Sequence, residues 1–141
     1  MRFVKFEPEH LLALRPQEAQ RPHLEWMTPE IAELASEHFS FTGYGHNGEM
    51  IGCAGLAPVE DGSLVAWAVF GAALLKYRLS VTRAVKAGLD THAGHRIIAH
   101  IHTDHANAAR FAEALHFKLI ETRSDLHPSG ALMHVYVREG A

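Results

Sequence analysis

From about Leu74 to Asp90 the sequence keeps one apolar side and one polar side. Leu74, Tyr77, Val81, Ala84, Val85, Gly88 and Leu89 line the first, and Lys76, Ser80, Arg83, Lys86 and Asp90 the second. That spacing matches the ~3.6-residue period of a helix that buries one face. The segment sits between two strand-like runs, Leu64–Phe70 and Arg96–Thr103 (RIIAHIHT). A helix set between strands buries its stripe against a sheet, so the chain is read as a mixed α/β domain.

The remaining segments fit that reading. Arg2–Phe6 alternates as a strand, and Glu9–Arg15 is a short helix stopped before Pro16. Pro16–Thr28 reads as a loop. Thr28-Pro29 opens a helix, with Thr as N-cap, Pro at the first helical position, and Ile31, Leu34, Ala35 and His38 on one face. Phe39–His46 and Glu49–Val59 are strands joined at Asn47-Gly48, a strong hairpin signal. Asp61-Gly62 turns the chain into Leu64–Phe70. After the long helix, Gly94 marks a stop. Thr103 or Asp104 would cap a helix whose buried stripe is Ala108, Phe111, Ala112 and Leu115. Phe117–Thr122 and Ala131–Arg138 are strands around a turn at Ser124–Gly130. The predicted order is β-α-α-β-β-β-α-β-α-β-β.

The chain has 141 residues, which suits one domain spanning 1–141. With 48% hydrophobic and 21% charged residues it is globular in composition, and not a disordered tail or a disulfide scaffold. A net charge of −3 gives no global basic field, so no nucleic-acid signal is present. The charged start MRFVKFEPEH is no signal peptide, and no apolar run reaches the ~18–20 residues of a membrane span. The lone Cys53 makes no internal disulfide and reads as a buried, inert thiol; a reducing compartment is expected and secretion is not.

Twelve histidines in a chain of this length invite a metal reading. His100 and His102 alternate on one strand, with His92 and His95 before them and Asp104 and His105 after. Imidazoles spaced this way can hold a transition metal. No HExxH and no cysteine pair accompanies them, so hydrogen-bonded or interface histidines are the simpler reading and no metal site is assigned. Lys76, Arg78, Arg83 and Lys86 read as a solvated helix face. Trp67, Phe70, Phe39 and Phe41 read as core.

The segment His105-Ala-Asn-Ala-Ala-Arg-Phe-Ala-Glu-Ala-Leu-His-Phe117 resembles the late helix of the GNAT acyltransferases, and the element order resembles that fold over nearly the whole chain. The resemblance implies an α+β, three-layer fold: a central mixed sheet of about six or seven strands flanked by about four helices. It implies acetyl-CoA as cofactor if the chain is active. The residues placed to bind it are Val69, Gly71, Ala72 and Ala73 in the phosphate loop, with His105 and Asn107 at the late helix. Glu49 (or His46), His100 and His102 are the candidates for a general base. Family positions are replaced here: His105 stands where Asn is usual, His116 where Gly is usual, Ala112 where many members carry a proton-donating Tyr, and no Arg or Gln precedes the loop.

The stretches EPEHLLALRPQEAQ, TPEIAELA, AWAVF, VTRAVKAGLD and HPSGALMHVYV look like a narrower group of phage- and prophage-encoded GNAT-like proteins, among them the internal virion protein A group. With the replaced positions, this implies a non-catalytic virion or morphogenesis protein of a tailed phage, without a cofactor. It would lie in the host cytoplasm or the virion and act through other phage structural proteins or self-association. The alternative is an acetyl-CoA-dependent N-acyltransferase acting on an amine.

Overall fold

The computed structural model describes residues 1–13, 28–127 and 129–139. The expected loop Pro16–Thr28 lies outside them, save Thr28, as do the end of the first expected helix and Pro128 of the last turn. Seven strands are present: β1 (Arg2–Lys5), β2 (Ser40–Tyr44), β3 (Met50–Pro58), β4 (Leu64–Phe70), β5 (Ile97–His102), β6 (Lys118–Arg123) and β7 (Met133–Arg138). Four helices accompany them among the described residues: α1 (His10–Ala13), α2 (Pro29–Ser36), α3 (Leu74–Asp90) and α4 (Ala106–Ala114). The strands hydrogen-bond in the order β1-β2-β3-β4-β5-β7-β6. The sheet is mixed: β4 and β5 run parallel, and β1–β2, β2–β3, β5–β7 and β6–β7 run antiparallel. The expected α+β class, strand number and helix number are all present. No helix is long and apolar enough to cross a membrane among the described residues.

The chain forms two compact units, Met1–Ala57 with Trp67–Arg83, and Pro58–Ala66 with Ala84–Ala141. In the first, Phe6, Leu11 of α1, Ala32 and Ala35 of α2, Cys53 of β3, and Trp67 and Val69 of β4 form one buried cluster. Thr28 caps α2 as the sequence predicts, its Oγ1 accepting from the Ile31 amide at 3.3 Å, with Pro29 following. The buried face is rotated from the expected one. Ala32 and Ala35 face the core while Leu34 is 58% exposed, because alanines let the helix backbone approach Phe6 and Trp67 closely. Phe39 is also exposed, at 42%; it packs edge-on to Phe41, which does the same with Phe3. Cys53 is wholly buried, and burial pushes its thiol up to about 11, so it is no nucleophile near neutral pH.

The position of β4 depends on Gly52 of β3. A Cβ there would lie 2.6 Å from the Val69 carbonyl oxygen and 2.5 Å from the Phe70 ring, so only glycine permits the observed spacing. Beyond Phe70 the chain turns at Gly71, whose amide donates to the Ile51 oxygen at 2.9 Å, and enters α3. The helix is not regular: Tyr77 has φ −117° and ψ 17°, a kink that the periodic reading of Leu74–Asp90 does not foresee.

In the second unit, β7 lies between β5 and β6. Arg138 of β7 ties down two helix ends, its Nε donating to the Leu115 carbonyl at 3.0 Å and its Nη2 to Asp90 Oδ1 at 2.6 Å. Lys86 reaches the other Asp90 oxygen at 2.8 Å. These two cations, Lys86 foremost, hold the Asp90 carboxyl below its ordinary range. The expected cap of α4 is displaced by one residue or more: His105 takes the N-cap place and makes no side-chain cap. At the other end, the Phe117 amide bonds the Ala112 oxygen and the His116 amide the Glu113 oxygen, both at 3.0 Å, with His116 at φ 71°. That is a Schellman end, in which the left-handed place normally takes glycine.

Two outcomes follow from these contacts. His116→Gly relieves a left-handed side chain, and the variant should be more stable by about 1 kcal/mol, raising the melting temperature by roughly 3 °C in a calorimetric scan. The Asp90 contribution is fully present above the ordinary carboxyl range of about pH 4 and is lost as pH falls through the lowered folded value. The stability gap between the native chain and Arg138→Met, measured by urea denaturation, should therefore narrow from about pH 7 to about pH 3.

Candidate functional site

In the first unit, β4 delivers the chain into Gly71-Ala72-Ala73. The amides of Leu74, Leu75 and Lys76 donate back to the carbonyls of Gly71, Ala72 and Ala73 at 3.2, 3.4 and 3.2 Å, so the helical turn starts earlier than α3 itself. The amides of Ala72 and Ala73 then have no hydrogen-bond partner among the described residues. No side chain in the turn extends beyond a methyl group. Lys76 and Arg78 follow, both exposed and in no ion pair among the described residues. Small residues, two open amides at a helix start and two adjacent cations are groups suited to an anion. Val69, placed in the same loop by sequence, is wholly buried and serves the core.

Beside this turn lies a cluster that the sequence reading did not assemble. Tyr77 Oη donates to Glu49 Oε1 at 2.8 Å and accepts from the His46 amide at 3.1 Å. The Asn47 amide also donates to Glu49 Oε1, at 3.3 Å. A Cβ at Gly45 would lie 1.6 Å from that oxygen and 2.5 Å from Tyr77 Oη, so a side chain there would displace the Tyr77–Glu49 pair. The Tyr77 hydrogen bond is the foremost cause holding Glu49 below the ordinary carboxylate range, with smaller help from the Asn47 amide and the Lys76 charge. On Tyr77 the His46 amide lowers the phenol, but the Glu49 acceptor, burial and the Glu49 charge together raise it. The ionised form of Glu49 is thus favoured, with Oε1 already accepting from Tyr77 and Asn47. Tyr77, expected on the apolar side of the helix, instead uses its hydroxyl at the kink. The hairpin at Asn47-Gly48 marked one partner in sequence; the pairing of β3 with β4 that brings the other near leaves no local signal.

The other candidates lie in the second unit. The β5–β7 and β6–β7 registers place His100, His102, Glu121 and Arg123 on one sheet face with Val135 and Met133. Burial first, and then the Arg123 charge, lowers the pKa of His100, which favours the neutral ring. His102 Nδ1 accepts from the Asp104 amide at 3.1 Å, leaving Nε2 as the donor of the neutral ring. His105 is also lowered, by burial and then by His102. Asn107 is exposed on the first turn of α4, its Oδ1 accepting from Arg110. Among the described residues no three His, Cys, Asp or Glu side chains come together to hold a metal.

The comparisons with solved structures bear on the whole arrangement. The acetyltransferase (GNAT family) from Bacillus anthracis superposes with a TM-score of 0.69 at 16% identity, over 98% of this chain and 93% of that one. The protein has the GNAT fold. Ard1 from Thermoplasma volcanium gives 0.73 at 13% identity, over 97% and 95% of the two chains. A variant of spermidine N-acetyltransferase SpeG from Vibrio cholerae gives 0.66 at 13%, over 99% and 95%. The sequence matches no family model and no curated protein. Within the GNAT fold, the Gly71–Ala73 turn occupies the place between the fourth strand and the long helix, where the sequence resemblance put the phosphate loop.

The Tyr77–Glu49 bond has a direct readout. Replacing Glu49 by Gln removes the charge and the anionic acceptor that raise the phenol. In an ultraviolet titration of the three tyrosines, one should ionise at lower pH in Glu49→Gln than in the native protein.

Proposed function

We propose that this protein is an acyl-CoA-dependent N-acyltransferase. The observation that carries the proposal is the turn Gly71–Ala73: two open amides and no bulky side chain at the start of a 17-residue helix, at the family's phosphate-binding place. These groups fit a pyrophosphate. Ala72 and Ala73 would hold it through their amides, and Lys76 and Arg78 would add charge from the side. The cofactor, when bound, supplies a thioester carbonyl to an attacking amine. Backbone amides replace the missing Arg or Gln of the loop, since they supply grip without a side chain.

Among the base candidates, each taken by itself, His100 has the ring most open to a proton. Glu49 Oε1 is already taken by Tyr77 and the Asn47 amide, and His102 uses one nitrogen on the Asp104 amide. The ring of His100 makes no hydrogen bond among the described residues, and its surroundings favour the neutral form that accepts a proton. The amine donating that proton is an acceptor of unassigned identity.

The non-catalytic phage or prophage virion reading rests on the sequence stretches and the replaced positions alone, and the solved neighbours lend it no support. One replaced position keeps its family geometry: His116 holds the left-handed backbone that glycine normally takes. The substitution there leaves the helix end intact and does not argue against activity.

The test is binding and turnover. Acetyl-CoA at a hundredfold excess over a micromolar dissociation constant should stabilise the fold by about 2.7 kcal/mol, visible as a thermal shift. Ala73→Asp, which sets a carboxylate against the anion, should abolish that shift with little effect on the unliganded melt. Thiol release with a panel of amines should fall in His100→Ala. Absence of both binding and thiol release would overturn the proposal in favour of the non-catalytic reading.

A further inference from the structure

Strand β6 ends the sheet, and all six of its residues are exposed. Its outer edge presents backbone donors and acceptors that no strand pairs among the described residues. At its centre sit two large apolar side chains, Leu119 at 50% and Ile120 at 52% exposure. A strand edge of this kind adds readily to another strand, and soluble proteins usually blunt it with charge or cover it. Here the charges lie only at the flanks, and they are of opposite sign: Lys118 before the apolar pair and Glu121 after it.

The register makes the arrangement self-complementary. Lys118 pairs with Val137 and Glu121 with Val135, while Ile120 is skipped in a bulge between Leu119 and Glu121. Val137 and Val135 point to one face, so Lys118 and Glu121 share that face too. Residues three apart in a regular strand would point to opposite faces. An antiparallel copy of β6 related by a two-fold axis between Leu119 and Ile120 sets Lys118 opposite Glu121 of the second copy, twice. It also sets Leu119 beside Ile120 of the second copy. Lys118 makes no ion pair within the chain among the described residues. Arg123, which touches Glu121 at 3.5 Å, is held more closely by Asp125, at 2.8 and 2.5 Å. Lys118 and one oxygen of Glu121 are therefore left for a partner.

We propose that β6 is a homodimer edge, with a second copy of this chain as its occupant and Lys118–Glu121 as the pair that sets the register. A like-for-like two-fold contact is the commonest arrangement among homo-oligomers.

Sedimentation velocity over about 1 to 100 μM should show a monomer–dimer equilibrium that weakens with salt. Lys118→Glu or Glu121→Lys alone creates like-charge contacts and should raise the dissociation constant by roughly tenfold or more. The double reversal Lys118→Glu with Glu121→Lys should restore native association. Ile120→Lys should give a monomer with an unchanged far-ultraviolet circular dichroism spectrum, which separates loss of the contact from loss of the fold. A native chain that stays monomeric throughout would overturn the proposal. So would a dimer indifferent to the single reversals, a double reversal no better than either single change, or an edge taken up by a different protein in place of a second copy.

Discussion

The spacing of β3 and β4 governs the first unit. It is set by a missing side chain, because any Cβ at Gly52 would run into the Val69 carbonyl and the Phe70 ring. With that approach allowed, the Gly71 amide reaches the Ile51 oxygen, and the chain is anchored where it leaves the strand. The open amides of Ala72 and Ala73 are positioned by this anchor and by the kink at Tyr77, which Glu49 and the His46 amide hold from the neighbouring hairpin. The turn thus owes its shape to backbone contacts and to one part-buried hydrogen bond, and not to the charged residues that follow it. This explains how a loop without the family's Arg or Gln can keep a form suited to an anion.

Charge in this protein is mostly spent on partners close by in space. Asp90 is shared between Lys86 and Arg138, Arg123 is clasped by Asp125, and Glu49 is engaged by a phenol. Lys76 and Arg78 at the start of α3 are in no ion pair among the described residues, in a chain whose net charge is −3. Attraction for an anion at the turn is therefore a local matter and does not arise from a basic surface as a whole. The histidines divide along the same lines: His102 is tied to a neighbouring amide, His116 closes a helix, and His100 is left half-buried in surroundings that favour its neutral ring.

The periodic segments were the most legible part of the sequence. The amphipathic run of α3, the Thr28-Pro29 start of α2 and the Asn47-Gly48 hairpin each carry a short-range cause, and each lies where that cause puts it. The errors share a different origin. Hydrophobicity ranks Leu34 above Ala32 for the buried face, whereas a tight helix–sheet contact selects small residues. The helical period makes Tyr77 one more apolar position, since it cannot register a kink at a residue bonded to a carboxylate 28 residues earlier. The insertion of β7 between β5 and β6 likewise depends on long-range pairing. At the candidate site, the Gly71–Ala73 turn was visible as a run of small residues, but the Tyr77–Glu49 partnership was not, because it exists only once two distant segments are adjacent.

Cys53 has a practical bearing on how this protein can be studied. It is the only thiol in the chain, fully enclosed, and nearly devoid of thiolate at neutral pH. The folded molecule is in effect silent to maleimides and similar reagents. A cysteine introduced at any exposed position therefore becomes a unique attachment point for a fluorophore or spin label without first deleting the native one. Conversely, labelling of the unaltered chain reports that the core around Trp67 has opened, which makes the native thiol a built-in gauge of unfolding.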